Sequence, residues 1–117
     1  MQIDIQALDF PMTKGLRERV RRRMGFALGG RADNIQRVVV RLSDINGPKG
    51  GKDMCCHIRI VLNHMPEVVI KDTETDLYVA IDRAFGRAGR SVTRQLKRRA
   101  TKQRALPPGN IELLEPG

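Results

Sequence analysis

The sequence has few aromatic residues and no long apolar run, and each shortage excludes a class of protein. Three Phe, one Tyr and no Trp leave no ring on any predicted strand, whereas RRM and OB folds stack bases on aromatic side chains of their sheets. No apolar run approaches the roughly 18 residues of a membrane span. The first five residues alternate as a strand does and lack the regions of a signal peptide, so we expect a cytoplasmic protein.

Cysteine is also scarce, and its placement argues against a disulfide or a metal site. Cys55 and Cys56 are adjacent, so in a strand their side chains point to opposite faces of the sheet. A closed zinc site needs about four ligands, and beyond Cys55, Cys56 and His57 only His64 remains as a candidate. We expect reduced strand cysteines, no metal and no other cofactor.

Groups that support catalysis are missing as well. The sequence offers no convincing carboxylate pair and no Ser or Cys beside a base. The glycine-rich run at 47–51 lacks the order of a phosphate-binding loop and lies between two predicted strands. We therefore predict a protein that is not an enzyme and has no small-molecule substrate.

What the sequence does have is positive charge. Lys and Arg number 22 against 13 Asp and Glu, which gives a net charge of +9 and a pI near 10.6. Such a balance indicates a polyanionic partner, and only the arrangement of the charges can distinguish RNA, DNA and an anionic membrane surface.

The periodicity of the apolar residues predicts one α+β domain. Alternation predicts four strands and helical spacing predicts two helices. The predicted strands span 2–7, 35–42, 54–62 and 67–71, and the predicted helices span 13–28 and 73–104. The order β-α-β-β-β-α is expected to place both helices on one face of a four-stranded sheet, as in a double-stranded-RNA-binding domain with one strand added in front. Residues 1–104 would form this domain, and 105–117, with three Pro and two Gly, would be a flexible tail.

The second helix separates its apolar and basic residues. Between residues 83 and 104 there are nine Lys or Arg and no Asp or Glu. Exposure to solvent explains why this helix face is polar, but it does not explain why all its charges are positive. Like charges on a helix repel by a few tenths of a kcal/mol per pair, so an ordinary exposed face mixes the two signs. We therefore predict that this face meets a nucleic acid through phosphate and shape, and that reversing the charge at Arg87, Arg90 and Arg94 leaves the fold intact. The basic stripe consists of Arg83, Arg87, Arg90, Arg94, Lys97 and Arg98.

The start of the second helix resembles a motif of the short ribosome hibernation promoting factors, also called ribosome-associated inhibitors. The segment 76–82, DLYVAID, precedes Arg87, Arg90 and Arg94 in the register of that family, and the resemblance extends over residues 1–104. Three features depart from the family pattern: Arg19 replaces an aromatic residue, Gly86 and Gly89 replace helix formers, and the loop at 46–52 is longer.

The resemblance implies a partner and a mode of action. Such factors bind the small ribosomal subunit and its rRNA in the decoding channel, where they exclude mRNA, tRNA and initiation factors and keep ribosomes inactive in nutrient-limited cells. The family's basic positions correspond here to Arg22 and Arg23 of the first helix and to four residues of the basic stripe, Arg87, Arg90, Arg94 and Lys97. We expect a monomer off the ribosome, without membrane contact and without the second domain of the long factors. The alternative is a general binder of double-stranded RNA or DNA that uses the same basic surface.

Overall fold

In this computed structural model the residues described are 1–45 and 53–104, with only the backbone described for 102–104. The elements are β1 (Gln2–Ala7), α1 (Lys14–Leu28), a 3₁₀ turn (Gly29–Asn34), β2 (Ile35–Asp44), β3 (Met54–Leu62), β4 (Val68–Glu74) and α2 (Leu77–Arg104). This order confirms the predicted α+β fold. The predicted turn at 46–51 and the predicted tail at 105–117 lie outside the described residues.

The four strands form one mixed sheet in the order β1-β2-β3-β4. β1 pairs parallel to β2, with Ile5 beside Val40, and the other neighbours are antiparallel. Val40, Ile58 and Ile70 continue the same row across the sheet. Because aligned residues point to the same face, this row is part of the apolar face that the helices cover.

Both helices bury one side against this face of the sheet. Thr13 caps the start of α1, since its Oγ1 accepts a hydrogen bond from the Leu16 amide at 3.1 Å. The buried residues of α1 recur every four positions. They are Leu16, Val20, Met24 and Leu28. α2 buries the apolar side that lies opposite its basic stripe, and the partly buried Leu96 continues this side. Its fully described core residues are Leu77, Ala80, Ile81, Ala84, Phe85, Ala88 and Val92.

The start of α2 was predicted wrongly at Thr73. In the structure β4 continues to Glu74, because Thr73 pairs with Cys55 and Glu74 pairs with Met54 across the sheet. The helix begins at Leu77, and Asp76 Oδ1 accepts a hydrogen bond from the Tyr78 amide at 2.9 Å. Asp76 therefore caps the helix, and sheet pairing overrides the weaker capping signal of Thr73.

α1 and α2 run side by side in the same direction along the sheet. Near their starts Gly15 lies against the Tyr78 hydroxyl, and farther along Gly89 lies against the backbone of Ala27. A Cβ added at Gly89 would lie 3.1 Å from the Ala27 carbonyl oxygen, so glycine permits this close approach of the two helices. α2 is the longer helix and extends beyond the end of α1.

Candidate nucleic-acid interface

The outward faces of α1 and α2 form one arginine-rich surface on the side away from the sheet. Seven of the eight predicted site residues are exposed, and Arg83 and Arg87 among them lie beside β4. The other five are Arg22, Arg90, Arg94, Lys97 and Arg98. Within the described part of the chain none of these five has an ion-pair partner, and Arg94 contacts only the Ser91 hydroxyl, at 3.2 Å. Their guanidinium and ammonium groups are therefore available to bind an anion.

The other two α2 arginines of the predicted site are held by acidic residues of β4. Arg83 Nε lies 3.6 Å from Asp72 Oδ1 and 3.4 Å from Glu74 Oε2. Arg87 Nη1 donates to the Lys71 carbonyl at 2.9 Å and lies 3.3 Å from Asp72 Oδ2. Asp72 is only 8% exposed, so these two arginines compensate a buried carboxylate. Replacing Arg83 or Arg87 therefore removes an ion pair of Asp72, and the tolerance of the fold to charge reversal at Arg87, Arg90 and Arg94 stays a prediction.

Arg23 is similarly engaged, by Asp82 of α2. Arg19 Nη1 donates to Asp82 Oδ2 at 2.9 Å, and Arg23 Nε lies 3.4 Å from Asp82 Oδ1 without forming a hydrogen bond. The Arg19 guanidinium also lies over the ring of Tyr78, 4.9 Å from its centroid. Arg19, which departs from the family pattern, thus joins the two helices through one carboxylate and one ring.

A groove of about 540 Å³ separates the two helices next to the exposed arginines. Its walls come from Arg23, Phe26 and Ala27 of α1 and from Phe85, Gly86, Gly89, Arg90, Thr93 and Arg94 of α2. Phe26 is 75% exposed, which makes it the most exposed large hydrophobic side chain among the described residues. Sequence analysis did not single out Phe26, although its spacing of four residues from Arg22 puts both on one face of α1.

A second group of basic residues lies on the opposite, uncovered face of the sheet. Arg41 of β2, His57 of β3 and Lys71 of β4 are aligned across neighbouring strands, and Arg37 lies on the same face of β2. Arg37, Arg41 and Lys71 are exposed. The positive charge of the protein is thus distributed over two faces, a division that the helix patterns alone did not reveal.

The cysteines occupy the positions of ordinary strand residues. Both are buried and unbonded, and burial, together with the nearby Cys55 and Asp72, raises the pKa of the Cys56 thiol far above its ordinary value. Among the described residues no three His, Cys, Asp or Glu side chains come together as a metal site would require. No helix in the described part of the chain is both long enough and apolar enough to cross a membrane.

Fold and surface together define a small basic α+β protein whose two helices carry exposed arginines. The family described as sigma 54 modulation protein / S30EA ribosomal protein matches residues 3–104, and the chain belongs to this family. This membership confirms the resemblance to ribosome hibernation promoting factors. No curated protein matches the sequence.

Two solved structures are similar to the chain over most of its length. The N-terminal domain of Thermus thermophilus Protein Y matches with a TM-score of 0.66 and 25% identity, covering 80% of this chain and 98% of that one. A ribosomal subunit interface protein from Coxiella burnetii matches with a TM-score of 0.67 and 16% identity, covering 86% of this chain and 99% of that one. The second similarity concerns the fold alone.

Proposed function

We propose that this protein binds the small ribosomal subunit through its rRNA and keeps ribosomes inactive. The exposed face of α1 and α2 contacts rRNA phosphates in the decoding channel. A protein seated there excludes mRNA, tRNA and initiation factors, so inhibition follows from occupancy and needs no catalytic step. Cells under stress or in stationary phase would gain a reversible way to store ribosomes.

The observation that supports this proposal most is the set of exposed α2 cations that have no ion-pair partner among the described residues. Arg90, Arg94 and Arg98 lie on one helix, four residues apart, and all three are exposed. An arginine guanidinium can donate two parallel hydrogen bonds to phosphate oxygens. A helix holds such guanidinium groups at a regular spacing. Membership of a family described as S30EA ribosomal protein supports the ribosome as the source of the RNA, and the Coxiella burnetii protein of similar fold is a ribosomal subunit interface protein.

The test compares two triple variants of equal charge. One reverses Arg90, Arg94 and Arg98 to Glu, and the control reverses Arg37, Arg41 and Lys71 to Glu on the opposite face of the sheet. Each replacement changes the charge by −2, so both variants fall from the net charge of +9 to +3. None of the six residues has an ion-pair partner in the described part of the structure, so both variants are expected to fold.

Co-sedimentation with purified small subunits should separate the two variants. The α2 variant should lose binding, and the slope of log K against log salt should become shallower by about 2 to 3, since each neutralised phosphate contributes about 0.7–0.9. The sheet variant should keep most of its affinity. An α2 variant that sediments with small subunits as well as the unaltered protein does would contradict the proposal.

A second candidate function is general binding of double-stranded RNA or DNA. The basic residues on the uncovered sheet face favour it, because positive charge on two faces suits contact with nucleic acid in more than one orientation. Equal losses in the two triple variants, together with equal affinity for small subunits and a plain duplex, would support this function instead.

A further inference from the structure

The groove between α1 and α2 combines an exposed ring, an open floor and three arginines. Phe26 stands on the α1 side with three-quarters of its surface exposed. Arg23 lies on the same side, and Arg90 and Arg94 lie on the α2 side. An isolated exposed apolar side chain is common on protein surfaces and needs no explanation. Here the ring borders a concave site surrounded by cations, which is a different arrangement.

The two glycines of this groove have different surroundings. Gly89 is required by packing, since a Cβ there would press on the Ala27 backbone. Gly86 is not, because an added Cβ would meet only Arg90 Nη1, at 3.7 Å, an ordinary contact distance. In the middle of a helix glycine costs about 1 kcal/mol relative to alanine. Packing does not explain that cost at Gly86, and the absence of a side chain there leaves the groove open.

The chemistry of the walls favours a nucleotide over an apolar peptide. None of the described residues that line the groove is acidic, and Arg90 and Arg94 are exposed beside it. Arginine binds phosphate and also stacks on planar groups, and a phenyl ring stacks on any base. A base that is paired inside a helix cannot reach such a groove, whereas an unpaired base that is turned out of the stack can.

We propose that this groove binds one unpaired RNA base, which stacks on Phe26 while Arg90 and Arg94 contact its flanking phosphates. The proposal rests on the RNA-binding function proposed above and adds a site of recognition to it. Phe26, Gly86 and the arginines then distinguish RNA with an extruded nucleotide from a regular duplex. Phosphate contacts alone would not make that distinction.

The first experiment measures affinity for two RNAs, a perfect duplex and the same duplex with one unpaired adenosine. The unaltered protein should bind the second more tightly, by about fivefold to a hundredfold, the range for one base on an aromatic side chain. Phe26→Ala and Gly86→Leu should abolish the preference and leave duplex affinity unchanged, whereas Phe26→Tyr should retain it. Leu8→Ala, which removes another exposed apolar side chain just after β1, is the matched control and should retain it too.

The second experiment places 5-iodouridine at the unpaired position and maps the photo-cross-linked peptide. Cross-linking to the α1 peptide that contains Phe26, lost in Phe26→Leu, is the expected result. Equal affinity of the unaltered protein for both RNAs, or a preference that survives Phe26→Ala, would overturn the proposed base site. If Phe26→Ala bound small subunits as well as the unaltered protein does, the base site would be rejected and the proposed function would stand. If the unaltered protein failed to bind small subunits, the proposed function itself would be rejected.

Discussion

Alanine in place of Gly86 should stabilise the protein, whereas alanine in place of Gly89 should not. Gly86 and Gly89 are three residues apart on the same helix, so both replacements gain about 1 kcal/mol of helix propensity. At Gly86 the new methyl group meets nothing closer than Arg90 Nη1 at 3.7 Å. Gly86→Ala should therefore raise the free energy of unfolding by about 1 kcal/mol.

At Gly89 the new methyl group would lie 3.1 Å from the Ala27 carbonyl oxygen and 3.3 Å from the Ala27 Cβ. The carbonyl is part of α1, so relief requires the two helices to separate by a few tenths of an ångström. Overpacking of this kind costs about 1–3 kcal/mol, which exceeds or cancels the gain in propensity. Gly89→Ala should therefore be about 1–3 kcal/mol less stable than Gly86→Ala.

Urea and thermal denaturation of the two variants measure this difference directly. A difference of 1 kcal/mol corresponds to about 4 °C in Tm for a domain of this size. The reasoning would be refuted if Gly89→Ala stabilised the protein as much as Gly86→Ala does. That result would mean that α1 and α2 do not approach closely at this crossing, and the groove described above would have no fixed shape.

Three further predictions concern the buried groups near β4. Arg83→Ala and Arg87→Ala should each lower the free energy of unfolding by less than about 1 kcal/mol, because the other arginine still compensates Asp72. The double variant should lose about 2 kcal/mol of unfolding free energy, more than the sum of the two single losses, since Asp72 is then buried without a cation. Urea denaturation measures these losses, and strictly additive losses would contradict the coupling. The Cys56 thiol should resist iodoacetamide at pH 8 until denaturant is added, and rapid alkylation of the folded protein would contradict its burial. Folding raises the pKa of the Cys56 thiol above 9.0, so the folded state keeps the thiol protonated. The contribution of the buried thiol to the free energy of unfolding is therefore complete below pH 9 and should decline as the pH rises above 9.

Local patterns were sufficient to predict the elements and the core faces of the helices. β3 was predicted with its observed bounds, since Met54 to Leu62 alternates and is flanked by turn residues. The start of α2 was predicted four residues early because both Thr73 and Asp76 resemble helix caps. Only the pairing of Thr73 with Cys55 on β3 extends the strand and leaves Asp76 as the cap.

The division of the arginines into paired and unpaired groups depends on tertiary structure. Periodicity placed Arg83 and Arg87 on the same stripe as Arg90 and Arg94. It could not reveal that Asp72, on the neighbouring strand, lies beside the first two. The exposure of Phe26 was not predicted, because the residue lies close in sequence to the buried Met24 and Leu28, although its spacing from Arg22 indicates the outer face of α1. Charge pattern predicts a basic surface, and the fold determines which of its charges remain available.

Competition for the small subunit tests the central claim most directly. Purified protein would be titrated onto separated small and large ribosomal subunits and onto a plain RNA duplex at moderate salt, with and without tRNA and mRNA bound to the small subunit. The account predicts saturable one-to-one binding to the small subunit that is lost when tRNA fills the channel. Equal binding to both subunits and the duplex, unaffected by tRNA, would contradict it.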